Sequence, residues 1–142
     1  MRKTLGALVL VSVALACTGC KKASPLVGKW NVTQGQASTE VEFKPESAFT
    51  MAIKLGTIEF DLSGDYKLDG ENLTLTLKDV NVPKLSAAQQ AQAKATFASQ
   101  MGRAQTMTAR FPTDDQLVLT STGNGPSMLG KSNTLTRVKD AK

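Results

Sequence analysis

Hydrophobic and polar residues alternate with a period of two along most of the chain after Leu26. In the clearest run, Phe49, Met51, Ile53 and Leu55 alternate with Thr50, Ala52 and Lys54. This alternation is typical of strands that have one face buried and one face in water, as in antiparallel sheets. The pattern predicts strands at about 26–33, 38–44, 48–55, 57–68, 71–80, 104–111, 115–121 and 133–138.

Residues that favour tight turns separate several of these predicted strands. Pro45-Glu46-Ser47 follows the second strand, and Gly56 lies where the hydrophobic positions change from odd to even numbers. Asp69-Gly70 favours a hairpin because both residues tolerate positive φ. Amphipathic strands joined by short links can hide their edges by closing on themselves. We therefore expect a mainly β fold, an antiparallel eight-stranded meander that closes into a small barrel.

One segment, 86–101, interrupts the alternation between the fifth and sixth predicted strands. It is rich in Ala and Gln, which are good helix formers. Ser86 and Gln89 have the spacing of a capping box, and Gly102 is suited to the position just after the last turn. The segment predicts one inserted helix that covers the sheet or one barrel mouth, with a mobile lid over a cavity as the alternative. The apolar residues expected on one helix face are Ala93, Phe97 and Met101.

The first twenty residues have the organisation of a bacterial export signal. Arg2 and Lys3 precede an apolar stretch at 5–16, which is too short to span a bilayer but suits a signal peptide. The sequence Thr18-Gly19-Cys20 resembles the lipobox of bacterial lipoproteins, in which small residues precede a cysteine that is acylated. The resemblance implies lipidation of Cys20, with Cys17 as the alternative site. A soluble secreted protein cleaved after Ala16 is the competing interpretation.

These features divide the chain into a signal peptide at 1–19, a tether at 20–25, a barrel domain at 26–139 and a tail at 140–142. Stable anchoring needs more than one acyl chain, such as palmitate, and lipoprotein maturation supplies several. We therefore expect a membrane-anchored protein of the cell envelope, in the outer membrane and facing the periplasm or the surface. The tether of about five residues spans under about 20 Å, so the domain should lie close to the bilayer.

Composition argues against several classes of function. The 142-residue chain has a formal net charge of +5 without a basic stripe, so we expect no nucleic-acid partner. It has no histidine, and both cysteines lie in the predicted export signal, so we expect no metal site and no cofactor. The carboxylate pairs Glu40 and Glu42, and Asp61 and Asp65, alternate with apolar residues and should face water. We therefore expect no catalytic residues and no enzyme activity.

A short motif at the start of the first strand indicates a family. Gly28-Lys29-Trp30 resembles the Gly-x-Trp of lipocalins, in which a basic residue of the last strand packs over the indole. Arg137 is placed to do this, and a guanidinium over an indole contributes about 0.5–2 kcal/mol. The resemblance to lipocalin-like domains of bacterial lipoproteins implies that Gly28, Trp30 and Arg137 close the barrel. The chain departs from the family in being shorter and in having its helix in mid-chain, and Trp30 could also be an ordinary core residue.

The resemblance further implies binding of a small hydrophobic molecule inside the barrel. An eight-stranded barrel can also be filled by its own side chains. The leading hypothesis is a non-catalytic binding or transport domain. The alternative is an envelope interaction protein (a partner, inhibitor or assembly factor) with a solid barrel, which uses a rim or the loop containing Met128 and Leu129. The residues that would line a cavity are Phe43, Phe49, Met51, Ile53, Ile58, Phe60, Leu62, Tyr66, Leu73, Leu75 and Leu77.

Overall fold

The computed structural model describes residues 23–34, 37–123 and 127–139. The predicted signal peptide, the predicted lipidation site at Cys20 or Cys17, and the predicted tail at 140–142 lie outside these residues. The elements are β1 (Gly28–Gln34), β2 (Ala37–Phe43), β3 (Ala48–Leu55), β4 (Ile58–Asp69), β5 (Asn72–Asn81), α1 (Ala87–Phe97), β6 (Ala104–Thr113), β7 (Gln116–Ser121) and β8 (Ser132–Arg137).

The eight strands form one closed barrel in which each strand pairs antiparallel with the next along the chain. Closure comes from β1 and β8, where Trp30 pairs with Arg137 and Asn31 pairs with Thr136. Closure satisfies the backbone groups that an open sheet would leave unpaired at its edges. The predicted fold is therefore confirmed: mainly β, with an eight-stranded antiparallel barrel and a single helix between β5 and β6.

The tight turns lie where the sequence places them. Gly56, between β3 and β4, has φ of 60°, and Gly70, between β4 and β5, has φ of 61°. Left-handed backbone of this kind favours glycine because glycine has no Cβ to clash. The turn between β2 and β3 instead places Ser47 at φ 66°. These short connections explain why the strands from β2 to β5 are consecutive neighbours in the barrel.

The pairing of β4 with β5 contains an irregularity that the alternation did not predict. The register shifts between Ser63 and Gly64, so that β5 carries one extra residue at Lys78. A bulge of this kind bends the strand and changes which residues face inward. After it, Val80 and Val82 are buried, although the preceding inward positions of β5 have odd numbers.

The helix ends earlier than predicted. α1 ends at Phe97 with Ala98 as its C-cap, and not at Met101. Gly102 has φ of 72°, and its N–H donates a hydrogen bond of 2.8 Å to the carbonyl oxygen of Leu77. Met101 also bridges to Leu77. The residues after the helix therefore turn back to pair with β5, and this pairing stops the helix before the glycine is reached.

Candidate functional site

The barrel has two ends that differ in chemistry. Because consecutive strands are antiparallel, successive connections lie at opposite ends. One end, which we call the closed end, contains residues 23–27, the β2–β3, β4–β5 and β6–β7 turns, and residues 138–139. The opposite end, which we call the distal end, contains the β3–β4 turn, the β5–β6 connection with α1, and residues 127–131 before β8.

At the closed end, Arg137 lies over the indole of Trp30, with Cζ 4.2 Å from the ring centroid. Trp30 is fully buried, and its Nε1 donates a hydrogen bond of 2.8 Å to the carbonyl oxygen of Leu26. The ring also packs against Phe111 at 6.2 Å between centroids. The structure thus brings together the aromatic and basic residues that the sequence placed at opposite ends of the chain.

The guanidinium of Arg137 also donates hydrogen bonds to three backbone carbonyl oxygens. Nη1 contacts Val27 at 2.9 Å, Nη2 contacts Pro25 at 2.6 Å, and Nε contacts Asp114 at 2.9 Å. A Cβ on Gly28, which has φ of 131°, would lie 2.6 Å from Nη1. Glycine is therefore required beside the guanidinium, and we refer to Gly28, Trp30 and Arg137 with their bonds to residues 25–27 as the clamp.

Most of the residues predicted to line a cavity lie in the interior. Ile53 and Phe60 are partly buried, and Ile58 is 45% exposed at the distal end. The buried ones belong to one contiguous cluster, and they are Phe43, Phe49, Met51, Leu62, Tyr66, Leu73, Leu75 and Leu77.

The interior side chains are packed against one another. Phe49, Leu73, Leu75 and Leu77 retain 0% of their surface. A side chain that bordered an internal void wide enough for water would keep some reachable surface. In the described part of the chain, the middle of the barrel is therefore occupied by the protein's own side chains.

Apolar side chains are exposed at the distal end. Leu55 and Ile58, paired across the β3–β4 turn, are 49% and 45% exposed. They lie on the inward sides of their strands but beyond the packed interior. The neighbouring pair, Ile53 and Phe60, is partly buried, and Phe60 contacts Phe97 of α1 with ring centroids 6.1 Å apart. We refer to these five residues as the apolar rim.

α1 leans on the distal end without burying any of its residues. Besides the ring contact of Phe97, Lys94 Nζ lies 3.1 Å from Asp79 Oδ1 on β5. The hydrogen bond from Lys94 is the main reason that the pKa of Asp79 lies below its usual value, with a second contribution from the backbone N–H of Val80. A helix with so little buried surface depends on few contacts for its position.

The segment before β8 packs inward. Leu129 is buried, and the Met128 N–H donates a hydrogen bond of 3.2 Å to Gln105 Oε1. Sequence reasoning missed Asn133, which is 5% exposed and whose Oδ1 has no hydrogen-bond partner among the described residues. Asn133 borders a cavity of about 140 Å³, which also contacts Val32 and Thr39. The alternation of hydrophobic and polar residues does not single out Asn133, because Asn133 lies at a regular inward position of its strand.

The predicted water-facing carboxylates do lie on the outside of the barrel. Glu40, Glu42, Asp61 and Asp79 border a recess of about 270 Å³ on the outer face of β2–β5. Asp65 instead forms an ion pair with Lys78. Among residues 23–34, 37–123 and 127–139, no group of His, Cys, Asp and Glu side chains is arranged to hold a metal ion. The recess is therefore a surface rich in carboxylates, and Thr50, Ala52 and Ser63 are also among its lining residues.

A second recess, of about 390 Å³, lies at the closed end beside the start of the described chain. Tyr66 borders it, and its hydroxyl donates a hydrogen bond of 2.7 Å to the carbonyl oxygen of Lys44. Burial raises the pKa of Tyr66, and the nearby charge of Glu46 raises it further. The other lining residues are Ala23, Ser24, Val27, Pro45, Ser47, Lys67 and Leu68.

Comparisons with known proteins add information about the fold. No family model and no curated protein matches this chain. It is similar to the crystal structure of an uncharacterized protein from Bacteroides eggerthii DSM 20697, with a TM-score of 0.50 and 16% identity, covering 80% of this chain and 99% of that one. In the described residues, no helix combines the length and hydropathy needed to cross a membrane. At such low identity the likeness extends to the β-barrel fold alone.

Proposed function

We propose that this protein is a lipid-anchored, non-catalytic interaction protein of the bacterial cell envelope. Its barrel is a solid scaffold, and its distal end is the surface that binds a partner. The anchor is lipidated Cys20, as the lipobox-like Thr18-Gly19-Cys20 implies. The clamp of Gly28, Trp30 and Arg137 supports a lipocalin-like classification of the barrel, since lipocalins carry the same residue types there.

The observation that carries this proposal is the contrast between a filled interior and an exposed apolar rim. A ligand of the usual size for a barrel interior would have to displace core side chains such as Phe49 and Leu75, which have no exposed surface. Leu55 and Ile58 are instead already exposed at the β3–β4 turn. Exposed apolar side chains that form a contiguous patch are a common mark of an interaction surface.

A photo-crosslinking experiment in the native cell tests this function. A photoreactive amino acid at Thr57, which is exposed at the tip of the β3–β4 turn, should give a discrete crosslinked species. The same amino acid at exposed Thr113 of the closed end should not. The double variant Leu55→Ser, Ile58→Ser should abolish the species, because it removes the exposed apolar surface.

Val138→Ser is the matched control, because Val138 is an exposed large hydrophobic residue, at 36%, of the opposite end. It should leave the crosslink unchanged. Intact-mass measurement of the extracted protein should show the mass of the lipid on the mature chain. A crosslink that survives the loss of both apolar side chains would contradict the proposal.

The competing function is carriage of a small hydrophobic molecule, and one observation favours it. The cavity of about 140 Å³ beside Asn133 has Val32, Met128 and Leu129 among its lining residues. Asn133 Oδ1, which has no partner among the described residues, is available to accept a hydrogen bond from a small ligand with one donor group. Native mass spectrometry after extraction from the membrane separates the two functions: a retained small molecule, without any crosslinked protein at Thr57, would favour carriage.

A further inference from the structure

We propose that the closed end of the barrel faces the membrane and that the clamp fixes this orientation. The inference rests on the lipid anchor of the proposed function. It goes beyond that function by assigning a membrane-facing surface, and by giving Arg137 a role in orientation besides closing the barrel.

The chain is held rigidly where the tether joins the barrel. Arg137 holds the carbonyl oxygens of Pro25 and Val27, and Trp30 holds that of Leu26. The Leu26 side chain is itself fully buried. Residues 25–27 therefore cannot swing around the barrel, and the chain that precedes them must leave from the closed end.

The tether is shorter than the barrel is long. The five residues from Cys20 to Pro25 span at most about 18 Å when fully extended. The 12 residues of β4 run from the distal turn to the closed end. They rise about 36 Å along the strand, or about 28 Å along the barrel axis at a tilt of roughly 40°. The tether is too short to let the barrel stand with its distal end on the bilayer that holds the anchor.

The recess of about 390 Å³ lies at the closed end, close to the tether. Ala23 lines it together with Val27, Pro45, Tyr66 and Leu68. Cys20 is three residues before Ala23, within about 10 Å along the chain. A lipid-modified Cys20 would therefore hold the recess against the headgroup region, while the apolar rim points into the aqueous compartment.

Site-specific labels can measure the orientation. In the mature lipidated chain the Cys20 thiol is blocked, so an introduced cysteine is the single free thiol. Lys67→Cys lies beside the closed-end recess, and Thr57→Cys lies at the distal turn; both positions are exposed. Each is labelled with bimane and reconstituted in phosphatidylcholine–phosphatidylglycerol vesicles that contain a headgroup nitroxide lipid. We expect several-fold stronger quenching at residue 67 than at residue 57; equal or reversed quenching would overturn the inference.

The role of the clamp is tested by Arg137→Gln in both labelled proteins. This variant should reduce the difference in quenching between the two positions, because it releases the carbonyl oxygens of Pro25 and Val27. Lys139→Gln is the matched control: it removes a neighbouring positive charge that pairs with Asp115, and it should leave the difference unchanged. A full difference in folded Arg137→Gln would show that the clamp does not set the orientation.

A second variant covers the case in which Arg137→Gln fails to fold. Inserting about ten Gly and Ser residues before Ala23 lengthens the tether as a flexible coil and leaves the clamp intact. The quenching difference should then shrink, and its persistence would contradict the length argument. Failure of the two proposals is distinguishable. If the chain carries no lipid mass and does not bind vesicles, the proposed anchor is wrong. If the chain binds vesicles but is quenched equally at the two positions, only the proposed orientation is wrong.

Discussion

Gly64 lies at the register shift between β4 and β5, where a methyl group would collide with the carbonyl oxygen of Thr76 and approach Phe49 Cε1 to 2.9 Å. Gly64→Ala should lower the free energy of unfolding by about 3 kcal/mol, at the upper end of the usual cost of overpacking. The backbone oxygen cannot move away without breaking the ladder. Urea denaturation followed by the fluorescence of Trp30, the one tryptophan of the chain, measures the change.

Gly56→Ala is the control for this substitution. Gly56 also needs a glycine-type φ of 60°, but a Cβ there would meet no atom within 4 Å. Gly56→Ala should lower the free energy of unfolding by about 1 kcal/mol, which is the usual cost of a left-handed conformation for a residue with a Cβ. Equal costs at the two glycines would show that the collision at Gly64 is relieved by local movement.

Tyr66 makes a prediction about alkaline pH. Burial first, and the charge of Glu46 second, raise the pKa of its hydroxyl above the ordinary value near 10. The unfolded chain therefore ionises before the folded one. The resulting stabilisation is complete below about pH 10 and is lost as pH rises through the folded-state pKa. Tyr66→Phe should remove this part of the alkaline loss of stability.

The measurement is direct because the chain contains a single tyrosine. The near-ultraviolet absorbance of tyrosinate, recorded with native protein and with protein in urea, should give a higher midpoint for the native state. Coinciding midpoints would mean that the folded protein does not shield the hydroxyl.

At the scale of elements, α1 lies outside the barrel and is held to it by few side-chain contacts. It has 11 residues, none of them buried, and isolated helices of that length are marginal in water. Phe97→Ala should therefore raise amide exchange across 87–97 almost to that of an unstructured peptide, because it removes the contact with Phe60. The free energy of unfolding of the barrel should change by less than about 1 kcal/mol.

Phe49→Ala provides the comparison, since Phe49 is fully buried in the barrel interior. Phe49→Ala should lower the free energy of unfolding by about 3–5 kcal/mol. The amide exchange of α1, compared with that of the barrel strands, should stay as it is in the wild-type protein. Hydrogen exchange read by mass spectrometry, together with urea denaturation, distinguishes the two effects. If α1 stays protected in Phe97→Ala, contacts other than the aromatic pair must hold it.

At the scale of the whole molecule, the filled interior predicts how the protein responds to small apolar probes. Xenon should find no site in the middle of the wild-type barrel. Leu75→Ala, at a position with no exposed surface, should cost about 2–5 kcal/mol and leave a void that takes up xenon. The chemical shift of xenon-129 in each protein measures this, and wild-type uptake equal to that of the variant would reveal a pre-existing cavity.

Much of the fold follows from local signals. The positions of the strands and of the turns at Gly56 and Gly70 agree with the sequence, because alternation and positive φ are properties of short stretches of backbone. The end of α1 could not be predicted from local signals. The helix stops at Phe97 because the next residues pair with Leu77, which lies twenty positions earlier in the chain.

The sequence by itself determined that this chain is an antiparallel meander with one inserted helix, because strand and helix periods are local properties of the backbone. The tertiary structure alone decided that the interior is filled, that β5 changes phase at Lys78, and that the apolar rim lies opposite residues 25–27. These features depend on side chains from strands distant in sequence, which meet only when the barrel closes. The packing of the interior, and the placement of the apolar rim opposite residues 25–27, therefore result from closure of the barrel and not from any single segment.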